Sequence, residues 1–206
     1  IGRIAARTAH PTIVVLGRLV PHKRVELAID VLAALRDRHP GLRLRIVGDG
    51  WWREQVAAHA QAREVTDQVD LLGFVDETTK HRELASAWIA MAPSAKEGWG
   101  LNVVEAATHG VPTLAHHGAG GLSESILDGV TGILVHDTEG MVEAASSLLS
   151  DEALRTRLGE SARGHARTFT WAGTIQAWDQ LLAHVASGGS PIAHIDEGLS
   201  RSALVS

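Results

Sequence analysis

The sequence predicts an α/β protein: a doubly wound parallel sheet of about six strands with helices on both faces. Two observations carry this. Six short apolar runs rich in β-branched residues alternate with stretches whose apolar residues recur at helical spacing. The loops with distinctive glycines and charges follow the carboxyl ends of those runs, which is the edge where such sheets bind ligands.

The elements follow in order. Residues 1–11 read as a lead-in, and the non-methionine start suggests a preceding domain. Thr12-Ile13-Val14-Val15-Leu16-Gly17 is a buried strand ending in glycine. Val25, Ile29, Leu32 and Leu35 then fall on one helical face until Pro40-Gly41 stops the pattern. Residues 42–47 alternate Leu and Arg before Ile46-Val47. That predicts a strand with one face partly open or close to the sheet edge, closed by the turn Gly48-Asp49-Gly50. A helix is expected over 51–63, a strand over 69–75, a helix over 78–87 and a strand over 88–92. The helix after Leu101 ends at Gly110, and a short strand covers 111–115. A glycine-rich loop, His116 to Gly121, leads to a helix reaching about Leu127, and Asp128-Gly129 turns into a strand over 131–135. The remainder is helical, with stripes on Met141, Val142, Ala145, Leu148 and Leu149, on Leu154 and Leu158 after an N-cap at Asp151, and on Trp171, Ile175, Trp178, Leu182 and Val185. The domain is placed at 12–186. Residues 187–206 are small and polar, and read as a tail without fixed structure.

Composition narrows the class. The 206 residues are 45% hydrophobic and 21% charged, ordinary for a globular domain with a substantial core. A net charge of -5 argues against a nucleic-acid partner. The absence of cysteine excludes disulfides and thiolate chemistry and fits an intracellular home. Nothing in the chain approaches a run of about 20 apolar residues.

The most informative stretch is Glu97-Gly98-Trp99-Gly100-Leu101-Asn102-Val103-Val104-Glu105. A glycine-containing loop opening a helix brings backbone N–H groups and a partial positive charge to a ligand, a good seat for phosphate. The two carboxylates need a different partner, and hydroxyl groups suit them because an ionised carboxylate only accepts hydrogen bonds. Phosphate and hydroxyls on one ligand suggest a nucleotide or a phosphorylated sugar. The structural alternative is an N-cap at Asn102 closed by Glu105 as a capping box. Arg18 and Lys23, taken alone, could be solvated surface charges. They follow the first strand, however, and so share an edge with the motif. His116-His117 could suggest a metal, but no third ligand has a convincing spacing. Trp171 and Trp178 lie on an apolar stripe and read as packing residues, while Trp51, Trp52 and Trp99 stand near the ligand edge. A glycosidase using Glu97 and Glu105 would leave Arg18 and Lys23 without a role.

An ordered set of short motifs resembles the C-terminal half of family 4 retaining glycosyltransferases, which have the GT-B fold. The set is Gly17-Arg18-Leu19-Val20-Pro21 with Lys23, Gly48-Asp49-Gly50, Leu72-Gly73-Phe74-Val75, Pro93-Ser94 before the 97–105 stretch, Gly110-Val111-Pro112, Gly120-Gly121-Leu122 with Glu124, and Asp128-Gly129 with Thr131-Gly132. The likeness runs from Thr12 to Val185. It implies a Rossmann-like, nucleotide-sugar-binding half whose acceptor site lies mainly in an N-terminal domain not present here. It further implies that Arg18 and Lys23 grip the donor diphosphate, that Glu97 positions the transferred sugar and that Glu105 accepts from the ribose hydroxyls. The backbone of Gly98, Trp99, Gly100, Leu101 and Asn102 would lie against sugar and diphosphate. Gly48, Phe74 and Val75 would complete the donor site, with the base at Phe74 and Val75. Trp99, Trp88 and His22 stand where phenylalanine, an acidic residue and glutamate are commoner in the family. The implied donor is a UDP- or GDP-sugar, the acceptor a glycan, lipid or small molecule, and no metal or other cofactor is called for.

The implied chemistry has no settled enzymic nucleophile: the acceptor attacks from the face the leaving phosphate departs, and that phosphate takes its proton. Charge-assisted hydrogen bonds from Arg18 and Lys23, worth about 1.5–3 kcal/mol each, should outweigh a helix start worth about 0.3–1 kcal/mol. The resemblance also implies a cytoplasmic setting, with the full-length protein at the inner face of a membrane or free of it. The last helix would have lost a partner, which leaves room for self-association. The competing readings are a nucleotide-binding or interaction module without transferase activity, and another GT-B enzyme such as a sugar-nucleotide epimerase or a phosphorylase.

Overall fold

The computed structural model describes residues 7–189. The six predicted strands are β1 (Thr12–Leu16), β2 (Arg43–Val47), β3 (Val69–Gly73), β4 (Ile89–Ala92), β5 (Thr113–His116) and β6 (Gly132–Val135). They form one sheet in the order β3-β2-β1-β4-β5-β6, every neighbouring pair parallel. The helices are α1 (Val25–Leu35), α2 (Arg53–Ala62), α3 (Glu77–Ser86), α4 (Leu101–Thr108), α5 (Leu122–Ser125), α6 (Thr138–Ser150), α7 (Glu152–Ala166) and α8 (Trp171–Ala186). The chain divides into two units, one ending at Ala166 and one beginning at Arg167.

The period-2 pattern of β1 explains the two covered faces. Ile13 and Val15 register with Leu44 and Ile46 of β2, and all four join Leu32 and Leu35 of α1, Val56 of α2, and Met141 and Leu148 of α6 in one buried cluster. Val14 points the other way and meets Val47, Ala90, Leu84 of α3 and Ala106 of α4. The alternation in β2 has a more specific meaning than an open face. β2 is next to the edge strand β3, and Arg45 is covered by α3, whose Glu83 accepts from its guanidinium at 2.8 Å. Arg43 forks onto Asp70 of β3 with bonds of 2.6 and 3.1 Å.

Some boundaries move. β3 stops at Gly73, two residues before the predicted end, and leaves Phe74 88% exposed. α5 is a single turn, ending at Ser125. Asp151 caps α7 as expected, accepting from the Leu154 amide at 2.8 Å. The lead-in has a structural role that its composition does not reveal. Arg7 donates to the Ala85 and Ala87 carbonyls at the end of α3 and to the His109 and Gly110 carbonyls after α4. One guanidinium thus satisfies the orphan carbonyls of two helix ends and sits favourably in both dipoles. Residues 1–6, the rest of the lead-in, and 190–206, most of the predicted tail, lie outside the described residues.

In the second unit, Thr170 caps α8 by accepting from the Gly173 amide at 3.0 Å. Its stripe is exposed, with Trp171 at 84% and Trp178 at 58%. The packing role expected of these tryptophans is therefore not seen. Among the described residues no helix is long and apolar enough to cross a membrane.

Three histidines give the first unit a pH signature. His39, His109 and His116 are held below the ordinary histidine pKa of 6.5, each mainly by burial. Above that value both folded and unfolded forms are neutral. As pH falls through it the unfolded chain takes up protons first, so stability is lost on acidification. Asp76 and Glu77 have lowered pKa values, so what they contribute is present at neutral pH and is lost only as pH falls through the carboxylate range, a separate window. The urea midpoint should fall between pH 7.5 and 5.5, and by less in a variant carrying glutamine at 39, 109 and 116. An equal fall in both proteins would remove these histidines as its cause.

Candidate functional site

The sheet order reverses between β1 and β4, since the chain leaves β1 toward β2 on one side and β4 toward β5 on the other. Loops at the carboxyl ends of two such strands diverge and leave a crevice between them. A cavity of about 620 Å³ lies there. It is lined by Arg18, Lys23, Gly48, Phe74, Val75, Glu97, Trp99, Gly100, Leu101, Asn102 and Glu105, every predicted site residue but one. Gly98 is outside the lining, and its carbonyl instead backs against Gly121.

Each side chain is placed by local chemistry. After β1 the chain makes a 3-10 turn over Pro21–Lys23, with proline fixing the first φ. That turn delivers Lys23 across the crevice, where its Nζ donates to Glu97 Oε1 at 2.5 Å. Ser94 donates to the same oxygen at 2.7 Å. Glu97 is nearly buried, with a side chain 9% exposed. The two residues assigned to different parts of one ligand are thus bonded to each other in this structure.

The capping box does not form. Gly100 is the N-cap of α4 at φ 85°, and no side chain caps the helix. Asn102 turns away and donates to the Leu16 carbonyl at 3.1 Å, tying the start of α4 to the end of β1. Glu105 accepts from Lys80 Nζ at 2.6 Å, and Lys80 also reaches Glu77 at 2.8 Å. Glu105 and then Glu77 raise the Lys80 pKa, so its charge is secure at neutral pH. Lys80 and Glu77 also line the cavity, and no motif in the sequence marks them. The available signal was position: both follow β3 at the start of α3, on the same edge as the other loops.

The cavity therefore presents two lysine–carboxylate pairs, an exposed arginine, an uncapped helix start and an apolar floor at Leu16 and Val47. The cations and the helix start suit phosphate oxygens. The carboxylates suit hydroxyls once a phosphate draws a lysine away. Of the tryptophans near this edge, only Trp99 joins the lining. Trp52 donates its indole N–H to Glu26 and packs on the core, with Trp51 edge-on to it and 70% exposed. Among the described residues no group of three or more His, Cys, Asp or Glu is arranged to hold a metal ion.

The profile of the family described as glycosyl transferases group 1 matches residues 3–165. The chain belongs to the group 1 glycosyltransferases. Among curated proteins, it is 37% identical over 179 residues to an exopolysaccharide phosphotransferase of Streptomyces coelicolor, covering 85% of this chain and 19% of that protein. It is 34% identical over 174 residues to the D-inositol 3-phosphate glycosyltransferase of Corynebacterium glutamicum, covering 81% of this chain and 41% of that protein. The chain thus spans less than half the length of either relative. In fold it is similar to S. aureus TarM, solved as a variant with fondaparinux, α-GlcNAc-glycerol and UDP. The TM-score is 0.76 at 22% identity, over 87% of this chain and 37% of that one. The group 1 chain described here is accordingly a Rossmann-like half of the GT-B fold, as its motifs led one to expect.

Proposed function

We propose that this chain is the donor-binding half of a retaining glycosyltransferase that uses a UDP- or GDP-sugar, and that it works only with its N-terminal domain. The observation that carries the reading is the cavity at the β1/β4 crevice, where cations and an uncapped helix start face two carboxylates. Arg18 and Lys23 would hold the diphosphate and neutralise charge as the sugar–phosphate bond breaks. When Lys23 turns to the diphosphate, Glu97 Oε1 is released to accept from the sugar. Glu105, steadied by Lys80, would accept from the ribose hydroxyls. Phe74 and Val75 would border the base. A glycosidase acid is a poorer fit, because each carboxylate is ion-paired with a lysine.

Calorimetric titration with UDP, GDP, ADP, UDP-glucose and GDP-mannose tests this. Selective binding of one base is expected, in the chain or in the full-length protein. Failure of every nucleotide to bind either one would overturn the reading. A second reading, an interaction module without transferase activity, draws on the exposed apolar stripe of α8. It would be favoured by a full-length protein that binds nucleotide yet releases no sugar from any donor, and disfavoured by turnover.

A further inference from the structure

A second pocket, of about 420 Å³, lies beside the donor cavity and plays no part in the function proposed above. Lys23 lines the donor cavity, and the next residue, Arg24, lines this one. Ala95, whose amide donates to the His22 carbonyl at 2.8 Å, and Ala119, whose carbonyl accepts from the Glu97 amide at 2.8 Å, form the wall nearest the donor cavity. His116 and His117 at the end of β5 and His136 after β6 supply three imidazoles.

Three observations mark the pocket as more than a surface dent. Arg24 holds φ 48° and ψ 41°, a left-handed conformation that suits glycine and strains an arginine, yet an arginine stands there. His116 is 8% exposed, and its Nε2 has no hydrogen-bond partner. A buried imidazole nitrogen left unpaired is costly unless something supplies the partner. The His117 and His136 rings lie 4.8 Å apart, so two side chains able to donate a hydrogen bond are held together. The one acid in the lining, Asp137, is engaged as the N-cap of α6, accepting from the Gly140 amide at 2.8 Å. One arginine and ring N–H donors gathered with a single, occupied carboxylate suit an oxyanion.

We propose that Arg24, His116, His117 and His136 form a binding site for a phosphoryl group belonging to a ligand other than the donor, either free phosphate or a phosphomonoester. Arg24 supplies the fixed charge, the His117 and His136 rings supply directed donors, and the free Nε2 of His116 can accept from a protonated phosphate oxygen. Burial, and the charge of Arg24, hold His116 below its ordinary pKa. A bond to the Val135 backbone pulls the other way and holds the ring in place, with Nε2 as the nitrogen left without a partner. The site stands apart from the donor reading, because its lining includes neither Arg18 nor Lys23.

The test is titration of inorganic phosphate into the chain, alone and saturated with UDP, following the imidazole ring signals by NMR. The signals of His116, His117 and His136 should shift, with the same affinity whether or not UDP is bound. Arg24→Gly should weaken phosphate by about tenfold or more while keeping the melting temperature, because glycine accepts the left-handed conformation. Repeating the titration with a hexose phosphate separates the sources: tighter binding identifies a phosphomonoester, equal binding free phosphate. Shifts that UDP abolishes would put the phosphate in the donor cavity and overturn the proposal. So would shifts that survive Arg24→Gly unchanged, or no shift at all. If UDP does not bind, the donor reading suffers, and the Arg24→Gly comparison still decides this site.

Discussion

Lys23→Ala should weaken binding of the donor nucleotide by about 10- to 100-fold, as expected for one charge-assisted hydrogen bond of about 1.5–3 kcal/mol. Arg18→Ala should fall toward the lower end of that range, because Arg18 is exposed and water screens its charge. The informative variant is Glu97→Gln. In the structure Glu97 holds Lys23 at 2.5 Å, so nucleotide and carboxylate compete for one ammonium group. Removing the carboxylate charge should leave UDP or GDP binding unchanged or tighten it. It should also abolish whatever extra affinity the sugar moiety of the donor contributes. In Lys23→Ala, by contrast, Glu97 stays behind as a nearly buried anion, with Ser94 as its remaining side-chain donor, next to the diphosphate. Part of the measured loss is then repulsion. The double variant should recover some affinity over Lys23→Ala alone, a non-additive cycle that calorimetry can read. If Glu97→Gln weakened the bare nucleotide as much as Lys23→Ala, Glu97 would be contacting the nucleotide itself, and its assignment to the sugar would fail.

These residues could be named from sequence because their signal is local. Strands β1 and β4 declare themselves as apolar runs, and in a parallel sheet every strand's carboxyl end faces the same edge. Placing the strands therefore places Arg18, Lys23, Gly48, Phe74 and Glu97 together without any knowledge of side-chain contacts. What the sequence withheld is pairing over long separations. Lys80 and Glu105 are 25 residues apart and sit on different helices. Arg45 finds Glu83 across 38 residues, so an alternating strand that looked partly open is covered by α3. Arg7 ties two helix ends at separations of 78 to 103 residues. His136 joins His117 only because β5 and β6 are neighbours in register, His116 opposite Val135. The Asn102–Glu105 spacing fits a capping box, and tertiary partners overrode it: the Leu16 carbonyl took Asn102, and Lys80 took Glu105. The exposed face of α8 shows a different limit. Helical spacing reveals that a stripe is apolar, but says nothing of what covers it.

Gly121→Ala should damage the donor site far more than the same change at Gly98, inside the 97–100 loop. A Cβ at Gly121 would lie 1.9 Å from the Gly98 carbonyl oxygen and 2.8 Å from Trp99 Cα. Both atoms belong to backbone, so no side chain can swing aside. The strand-like bridge between Glu97 and Gly120 and the bond from the Glu97 amide to the Ala119 carbonyl hold the two loops in contact. The collision must therefore push the 97–100 loop as a body. That motion carries Glu97 away from Lys23 and shifts the start of α4 at Gly100 and Leu101. Overpacking of this kind costs about 1–3 kcal/mol, which lowers the melting temperature by about 2–4 °C per kcal/mol in a domain of this size. Nucleotide affinity should fall further than stability does, because the displaced groups are the ones that line the cavity. Gly98→Ala is the control. Nothing lies within 4 Å of a Cβ there, and its backbone is not left-handed. It should melt and bind like the parent protein. If Gly121→Ala binds nucleotide as the control does, the 116–121 loop does not set the position of Glu97. The cavity geometry would then rest on the β4–α4 segment alone.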